Sequence, residues 1–200
     1  NAPNEVTNYI AKLLAYESGA KAPSTKKITF IADTDTMSEG FKDKVDSMAF
    51  GVRVLKPSMN SSTISRATLG SDAATRTAIQ NAFNDGPFGM VYIGHGAEDM
   101  WADAAVFTNT EAAALSNTNL PFVMAFNCLN SYFYDADSSY KGLGETLLFN
   151  KSNGAVAFWG STAMTTPATQ YALGMAFFNQ LVQETAGAYK TVRFGDLTLR

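Results

Sequence analysis

Short apolar runs alternate along the chain with stretches whose apolar residues recur every three or four positions. Between Glu5 and Ser18, Val6, Ile10, Leu13 and Leu14 stand at helical spacing with Gly19 just beyond as a stop, which predicts an amphipathic helix. Ile28-Thr29-Phe30-Ile31-Ala32 is a compact apolar run that ends on Asp33-Thr34-Asp35-Thr36, the pattern of a buried strand feeding a loop. Ser38-Glu39 opens a second helix through Phe50, and Gly51 is expected to break it before a short strand, Val52-Arg53-Val54-Leu55. Ser71 caps a third helix that runs to Asn84, and Asp85-Gly86-Pro87 closes it. The remainder repeats the alternation, with strands over 89–93, 121–126 and 154–159 and helices over 110–115, 142–149 and 166–185.

Strands separated by helices of this length predict an α/β fold, a mostly parallel sheet with helices on both faces. Ligands of such sheets bind beyond the carboxyl ends of the strands, which draws attention to the loops after Ala32, Leu55, Ile93, Phe126 and Trp159.

Composition narrows the class. Two hundred residues with 46% hydrophobic and 16% charged side chains suit one globular domain, and no apolar run approaches the roughly 20 residues of a membrane span. Fifteen basic against eighteen acidic residues leave a net charge of -3, a poor match to a phosphate backbone, so no nucleic-acid partner is expected. The single cysteine and single histidine exclude an internal disulfide and the usual three- or four-ligand zinc site, and no cofactor is called for. A structural calcium remains open, since Asp33 with Asp35 or Asp135 with Asp137 offers oxygen ligands; both pairs read equally as solvated loops. The chain starts at Asn1 and carries no targeting pattern, as a processed product or a fragment would.

The two singletons fall on two of the five strand-end loops. His95 sits in Ile93-Gly94-His95-Gly96 and Cys128 in Phe126-Asn127-Cys128-Leu129-Asn130. If those consecutive strands are neighbours, about 4.8 Å apart, imidazole and thiol share one rim and can flank one carbonyl. Glycines on both sides of His95 permit a tight turn with accessible amides, the requirement for presenting N–H donors to an oxyanion. The plainer alternatives are a small buried thiol and a loop imidazole satisfying one hydrogen bond, with Asn127 and Asn130 as turn formers or loop orienters.

Val91-Tyr92-Ile93-Gly94-His95-Gly96-Ala97-Glu98-Asp99-Met100-Trp101 and Ala125-Phe126-Asn127-Cys128-Leu129-Asn130, with His95 and Cys128 33 positions apart, resemble the gingipain family of cysteine endopeptidases, relatives of the caspases. Leu13-Leu14-Ala15-Tyr16-Glu17, Val156-Ala157-Phe158-Trp159-Gly160-Ser161-Thr162 and Phe194-Gly195-Asp196-Leu197 extend the likeness over nearly the whole chain, although the last lacks the proline that commonly follows the aspartate. The resemblance implies a caspase-like three-layer sandwich and a thiol protease. In it, Cys128 attacks the scissile carbonyl to form a thioester and His95 protonates the departing amine. The amides of Gly96 and Cys128 hold the oxyanion, and Trp159, Ser161, Thr162 and Met164 wall the substrate pocket.

It further implies that residues 1–200 form one catalytic subdomain, and that a preceding subdomain of the same precursor lines part of the pocket and supplies the acidic group that orients the histidine. Glu98, Asp99 and Asp103 are the candidates for that orienting role within this chain. Cleavage after a basic residue of a peptide or protein substrate, and a bacterial extracellular or cell-surface location, follow from the resemblance alone. Two competitors stand beside it: an inactive caspase-like binding or structural domain, and a receiver-like domain using Asp33 and Asp35 as a phosphoacceptor or metal site. The second lacks the strand-end lysine that such a site needs.

Overall fold

The structure is a computed structural model that describes residues 3–23, 25–134 and 141–182. In chain order its elements are α1 (Pro3–Glu17), β1 (Lys27–Ala32), α2 (Phe41–Leu55), β2 (Asn60–Ser65), α3 (Arg66–Leu69), α4 (Asp72–Asn84), β3 (Gly89–Ile93), β4 (Gly96–Ala97), β5 (Met100–Trp101), β6 (Phe107–Thr108), α5 (Asn109–Ala113), β7 (Phe122–Phe126), α6 (Leu143–Phe149), β8 (Ala157–Gly160) and α7 (Pro167–Val182). Five strands pair in parallel in the order β2-β1-β3-β7-β8, while β4, β5 and β6 form a small antiparallel sheet directly after His95.

Alternation along the central strands divides their side chains between two apolar layers. Phe30, Val91, Met124 and Phe126 pack with Val45 and Met48 of α2 and Phe177 and Phe178 of α7. Met90, Tyr92, Val123 and Ala125 pack on the opposite face with Ile79 and Phe83 of α4 and Leu143 and Leu147 of α6. This is the mostly parallel sheet covered on both faces that the hydrophobic pattern predicts.

Three local expectations fail. The second helix does not stop at Gly51 but continues to Leu55, so the strand expected over Val52–Leu55 is helical. Burial decides this: Met48 and Val52 are sealed against the sheet, which outweighs the roughly 1 kcal/mol that an interior glycine costs a helix. The strand is instead β2, an edge strand with the polar sequence Asn-Ser-Ser-Thr-Ile-Ser that carries no apolar run to signal it. Third, the last central strand starts at Ala157, not Gly154, whose φ of 86° turns the chain into it. Residues 183–185 of the last expected helix and the Phe194–Leu197 motif lie outside the described residues.

The first helix also faces differently from its pattern. Val6, Ile10 and Leu14 point to solvent, and the one fully buried side chain of α1 is Lys12. Its Nζ donates to the carbonyls of Leu147 (3.1 Å), Leu148 (2.9 Å) and Asn153 (2.6 Å), satisfying backbone acceptors at the end of α6 that have no helical partner. Burial pushes the Lys12 ammonium down to about 7, and the nearby charge of Lys21 adds to the effect. No described helix is long and apolar enough to cross a membrane.

Candidate active site

Ile93 of β3 pairs with Phe126 of β7, so His95 and Cys128 each stand two residues beyond matched positions on adjacent strands. The amide of Gly94 donates to Phe126 O at 3.3 Å. A Cβ added at Gly96 would lie 2.0 Å from Asn127 Nδ2, so the absence of a side chain there is what lets the histidine loop close against the cysteine loop. The shared rim expected from the sequence is therefore present.

The imidazole is held from β1's side of the sheet. His95 Nε2 lies 3.0 Å from Thr36 Oγ1 and 3.2 Å from Glu39 Oε1, and the ring meets Phe41 edge-on at 5.2 Å between centroids. Glu39 is itself fixed: its carboxylate accepts from Met37 N (2.8 Å), Thr36 N (2.9 Å) and Thr36 Oγ1 (2.9 Å). These donors, the Met37 amide foremost, hold its carboxyl at about 2, so it is a carboxylate at neutral pH. With Nε2 facing this pair, Nδ1 is the ring nitrogen left for chemistry, and no hydrogen bond among the described residues uses it.

The backbone of the histidine is clamped as well. His95 N donates to Asp33 Oδ2 (3.2 Å), and Tyr92 Oη donates to His95 O (2.7 Å). Asp33, almost wholly buried, pairs with Arg66 at 3.0 Å, and Arg66 also binds Asp72 at 2.7 Å. Tyr92 stacks on the buried Trp101 with centroids 4.5 Å apart.

Glu39 was not among the residues singled out from the sequence. Glu98, Asp99 and Asp103 make no hydrogen bond to the ring; the main-chain carbonyls of Glu98 and Asp99 instead accept from Leu143 N and Asn109 N, because the β4–β5 hairpin carries these residues toward α5 and α6. Among the described residues the carboxylate that meets the imidazole is thus Glu39, not Glu98, Asp99 or Asp103. Its signal was Thr36-x-x-Glu39, the spacing of a reciprocal capping box, directly after a strand on the same rim.

Asp33 and Asp35 are equally committed. Asp33 answers Arg66 and His95, while Asp35 accepts from Gly40 N and Phe41 N at the start of α2. Both carboxylates are thus tied into the hydrogen bonds that hold the strand-end loops. No cluster of three or more potential metal ligands occurs among the described residues, and Asp135 and Asp137 lie outside them.

Cys128 is half-buried, with its Sγ 3.5 Å from Thr165 N and 3.7 Å from Thr165 O. Among the described residues its own amide donates to nothing and is available as an oxyanion donor. Leu129, next in the chain, has a φ of 65°, a left-handed conformation that turns the backbone sharply behind the sulfur. Asn130 secures that turn: Oδ1 accepts from Trp101 Nε1 (2.8 Å) and Asn127 Nδ2 (2.7 Å), while Nδ2 donates to Ala97 O (2.5 Å) and Met100 O (3.2 Å). One buried amide thus joins the cysteine loop to the hairpin that follows the histidine, and Asn127 and Asn130 are loop orienters.

Beside Cys128, across Thr165, opens a cavity of about 570 Å³. Trp159, Ser161, Thr162 and Met164, the expected pocket walls, all line it, together with Thr165, Thr166, Thr169, Gln170 and Leu173. Trp159 has two roles, since its ring also packs edge-on against Phe177 of the core at 5.5 Å.

The model of peptidase family C25 matches residues 1–200. Lys-gingipain HG66 of Porphyromonas gingivalis is 28% identical over 164 residues, covering 81% of this chain and 9% of the relative. The crystal structure of the Arg-specific cysteine proteinase gingipain R superposes with a TM-score of 0.79 at 20% identity, covering all of this chain and 46% of that one. The complex of Porphyromonas gingivalis RgpB pro- and mature domains gives a TM-score of 0.77 at 20% identity, over all of this chain and 47% of that one. The chain spans under half of each of these relatives, and the caspase-like α/β architecture is the fold it shares with the solved ones. A family model matched from end to end, over a fold whose only thiol and only imidazole rise from adjacent strand ends, makes this chain a member of peptidase family C25.

Proposed function

We propose that the chain is the catalytic subdomain of a cysteine endopeptidase that works through Cys128 and His95, with Glu39 orienting the imidazole. The observation that carries this is the paired placement of an ionised carboxylate on His95 Nε2 and an unengaged amide on Cys128, across one sheet rim.

The steps follow from that arrangement. The Cys128 thiolate attacks the scissile carbonyl, forming a C–S bond and moving the carbonyl electrons onto oxygen, where the amides of Cys128 and Gly96 receive the charge. Protonated Nδ1 of His95 gives its proton to the departing amine as the C–N bond breaks, leaving a thioester. The neutral ring then takes a proton from water, whose oxygen displaces the thiolate and releases the acid. Glu39 contributes by holding the ring with Nδ1 toward the substrate and by stabilising the imidazolium.

The substrate is a peptide or protein whose side chain ahead of the cleaved bond enters the cavity walled by Trp159, Ser161, Thr162 and Met164. Relatives whose names specify Lys or Arg make a basic residue the first expectation there. A preceding subdomain of the same precursor and export to a bacterial surface or medium belong to the same proposal; solved relatives about twice as long support the first.

A peptidyl acyloxymethyl ketone tests the mechanism. Alkylation of Cys128 that is lost in His95→Ala is the expected result. A chain extended to the length of its relatives that neither reacts nor cleaves peptides would instead be an inactive caspase-like binding domain.

A further inference from the structure

We infer that Gln170 is a positioning residue for the nucleophile: its side-chain amide occupies the carbonyl of Asn127, and this leaves the Thr165 N–H to face the Cys128 sulfur. The inference rests on the peptidase reading above.

The cysteine loop and the segment after β8 lie side by side in one register. Ser131 N donates to Ser161 O (2.9 Å) and Leu129 N to Ala163 O (3.3 Å), so two residues back along the first segment match two residues forward along the second, as in an antiparallel pair. The next position in that register sets Asn127 opposite Thr165, which makes Asn127 O the natural acceptor for the Thr165 amide. The rung is not formed. Thr165 N lies 3.5 Å from Cys128 Sγ instead, and among the described residues no main-chain amide donates to Asn127 O.

That acceptor is filled from α7. Gln170 stands in the first turn of the helix and is 9% exposed. Helical side chains lean toward the N-terminus, which carries the carboxamide past the helix start to the strand-end loops. Its Nε2 donates to Asn127 O at 2.9 Å and to Thr165 Oγ1, whose hydroxyl lies 3.4 Å from the same carbonyl. A buried carbonyl left unmet is costly, and without Gln170 the donor that the register offers to Asn127 O is the Thr165 amide.

Thr165 meets the sulfur in both of its protonation states. Sγ is 3.7 Å from Thr165 O, which accepts from the thiol, and 3.5 Å from Thr165 N, which donates to the thiolate. The thiolate is the attacking form, and it is the leaving form when water opens the thioester, so a fixed N–H at the sulfur serves both steps. Gln170 acts through Thr165 and makes no hydrogen bond to the sulfur among the described residues.

The test uses the full-length protein and iodoacetamide, a reagent small enough to reach Sγ without filling the cavity. Gln170→Met keeps the bulk and removes the donor. Asn127 O should then recapture the Thr165 amide, so the urea midpoint stays near wild type while alkylation of Cys128 at pH 7 slows by about fivefold or more. Toward peptide amides kcat should fall by a similar factor, with KM changed by less than about twofold. Thr165→Ala keeps both the main-chain N–H and the bond from Gln170 to Asn127, and should alkylate at no less than about half the wild-type rate.

A folded Gln170→Met variant that alkylates like wild type overturns the inference, as does Thr165→Ala slowed equally. A change confined to KM makes Gln170 a wall of the cavity, and a Gln170→Met chain that does not fold makes it structural; either overturns the positioning role. These results leave the peptidase intact. Slowed alkylation of Gln170→Met in a protein that cleaves no peptide keeps Gln170 at the sulfur and removes the peptidase.

Discussion

Behind His95 and Cys128 the supporting side chains Asp33 and Asn130 are buried and hydrogen-bonded, whereas around the neighbouring cavity Thr162, Thr166 and Thr169 are exposed. Asn130 is fully buried and makes four hydrogen bonds that span both reactive loops. Asp33 and Arg66 brace the histidine backbone from a third loop. Across Thr165 the wall runs through Met164, 76% exposed, to Leu173, half exposed. The contrast separates two tasks: reacting atoms need fixed geometry, which buried networks supply, while a binding wall can change its side chains without unsettling the sheet.

The sharpest way to break this contrast is Asn130→Ala. It strands the Trp101 and Asn127 donors and removes the donor shared by Ala97 O and Met100 O, and each buried unmet group costs about 1–3 kcal/mol. Urea unfolding should report a loss of roughly 3–5 kcal/mol, with much slower alkylation of Cys128. A loss below about 1 kcal/mol would mean the rim is not held by this amide.

Glu39→Gln should act on chemistry more than on fold. Removing the carboxylate from Nε2 is expected to lower kcat/KM by roughly 10²-fold, with a smaller drop in melting temperature at neutral pH. Its carboxyl is held at about 2, below the ordinary 4.5, so the stability it contributes is complete above pH 4.5 and is lost as pH falls toward 2. The acid limb of the stability curve should therefore be shallower in the Gln variant, and an unchanged limb together with unchanged kcat/KM would remove Glu39 from the site.

Met164→Ala is the smallest change. At an exposed position it should shift stability by no more than about 0.5 kcal/mol, yet alter the relative kcat/KM of substrates that differ in the residue entering the cavity several-fold. A larger effect on folding than on substrate preference would make the cavity wall structural and dissolve the contrast.

How much of this was legible follows from where each signal is written. The strands β1, β3 and β7 are buried on both faces and read as unbroken apolar runs, so they and the reactive loops at their ends were visible. β2 is a polar edge and left no run, and β4, β5 and β6 are two residues each, too short for any period to show. The outward face of α1 was hidden for a different reason: its apolar stripe is real, but Lys12 is drawn inward by three carbonyls more than 130 positions away. Glu39 belongs to the same class: the Thr36-x-x-Glu39 spacing marks a local turn, but its contact with His95 lies across β1 and β3 and is written in no local pattern.

Gly94 and Gly96 carry this reasoning into the vocabulary of sequence variation. A methyl at residue 94 would meet Tyr92 Oη at 2.3 Å and Asp33 Cβ at 2.4 Å, and one at residue 96 would run into Asn127. A saturation scan of the gene should then be unforgiving also at residues whose side chains perform no chemistry. Two glycines and an asparagine would be as intolerant as the histidine and cysteine they bring together, and the cavity wall would be the permissive stretch where related enzymes diverge.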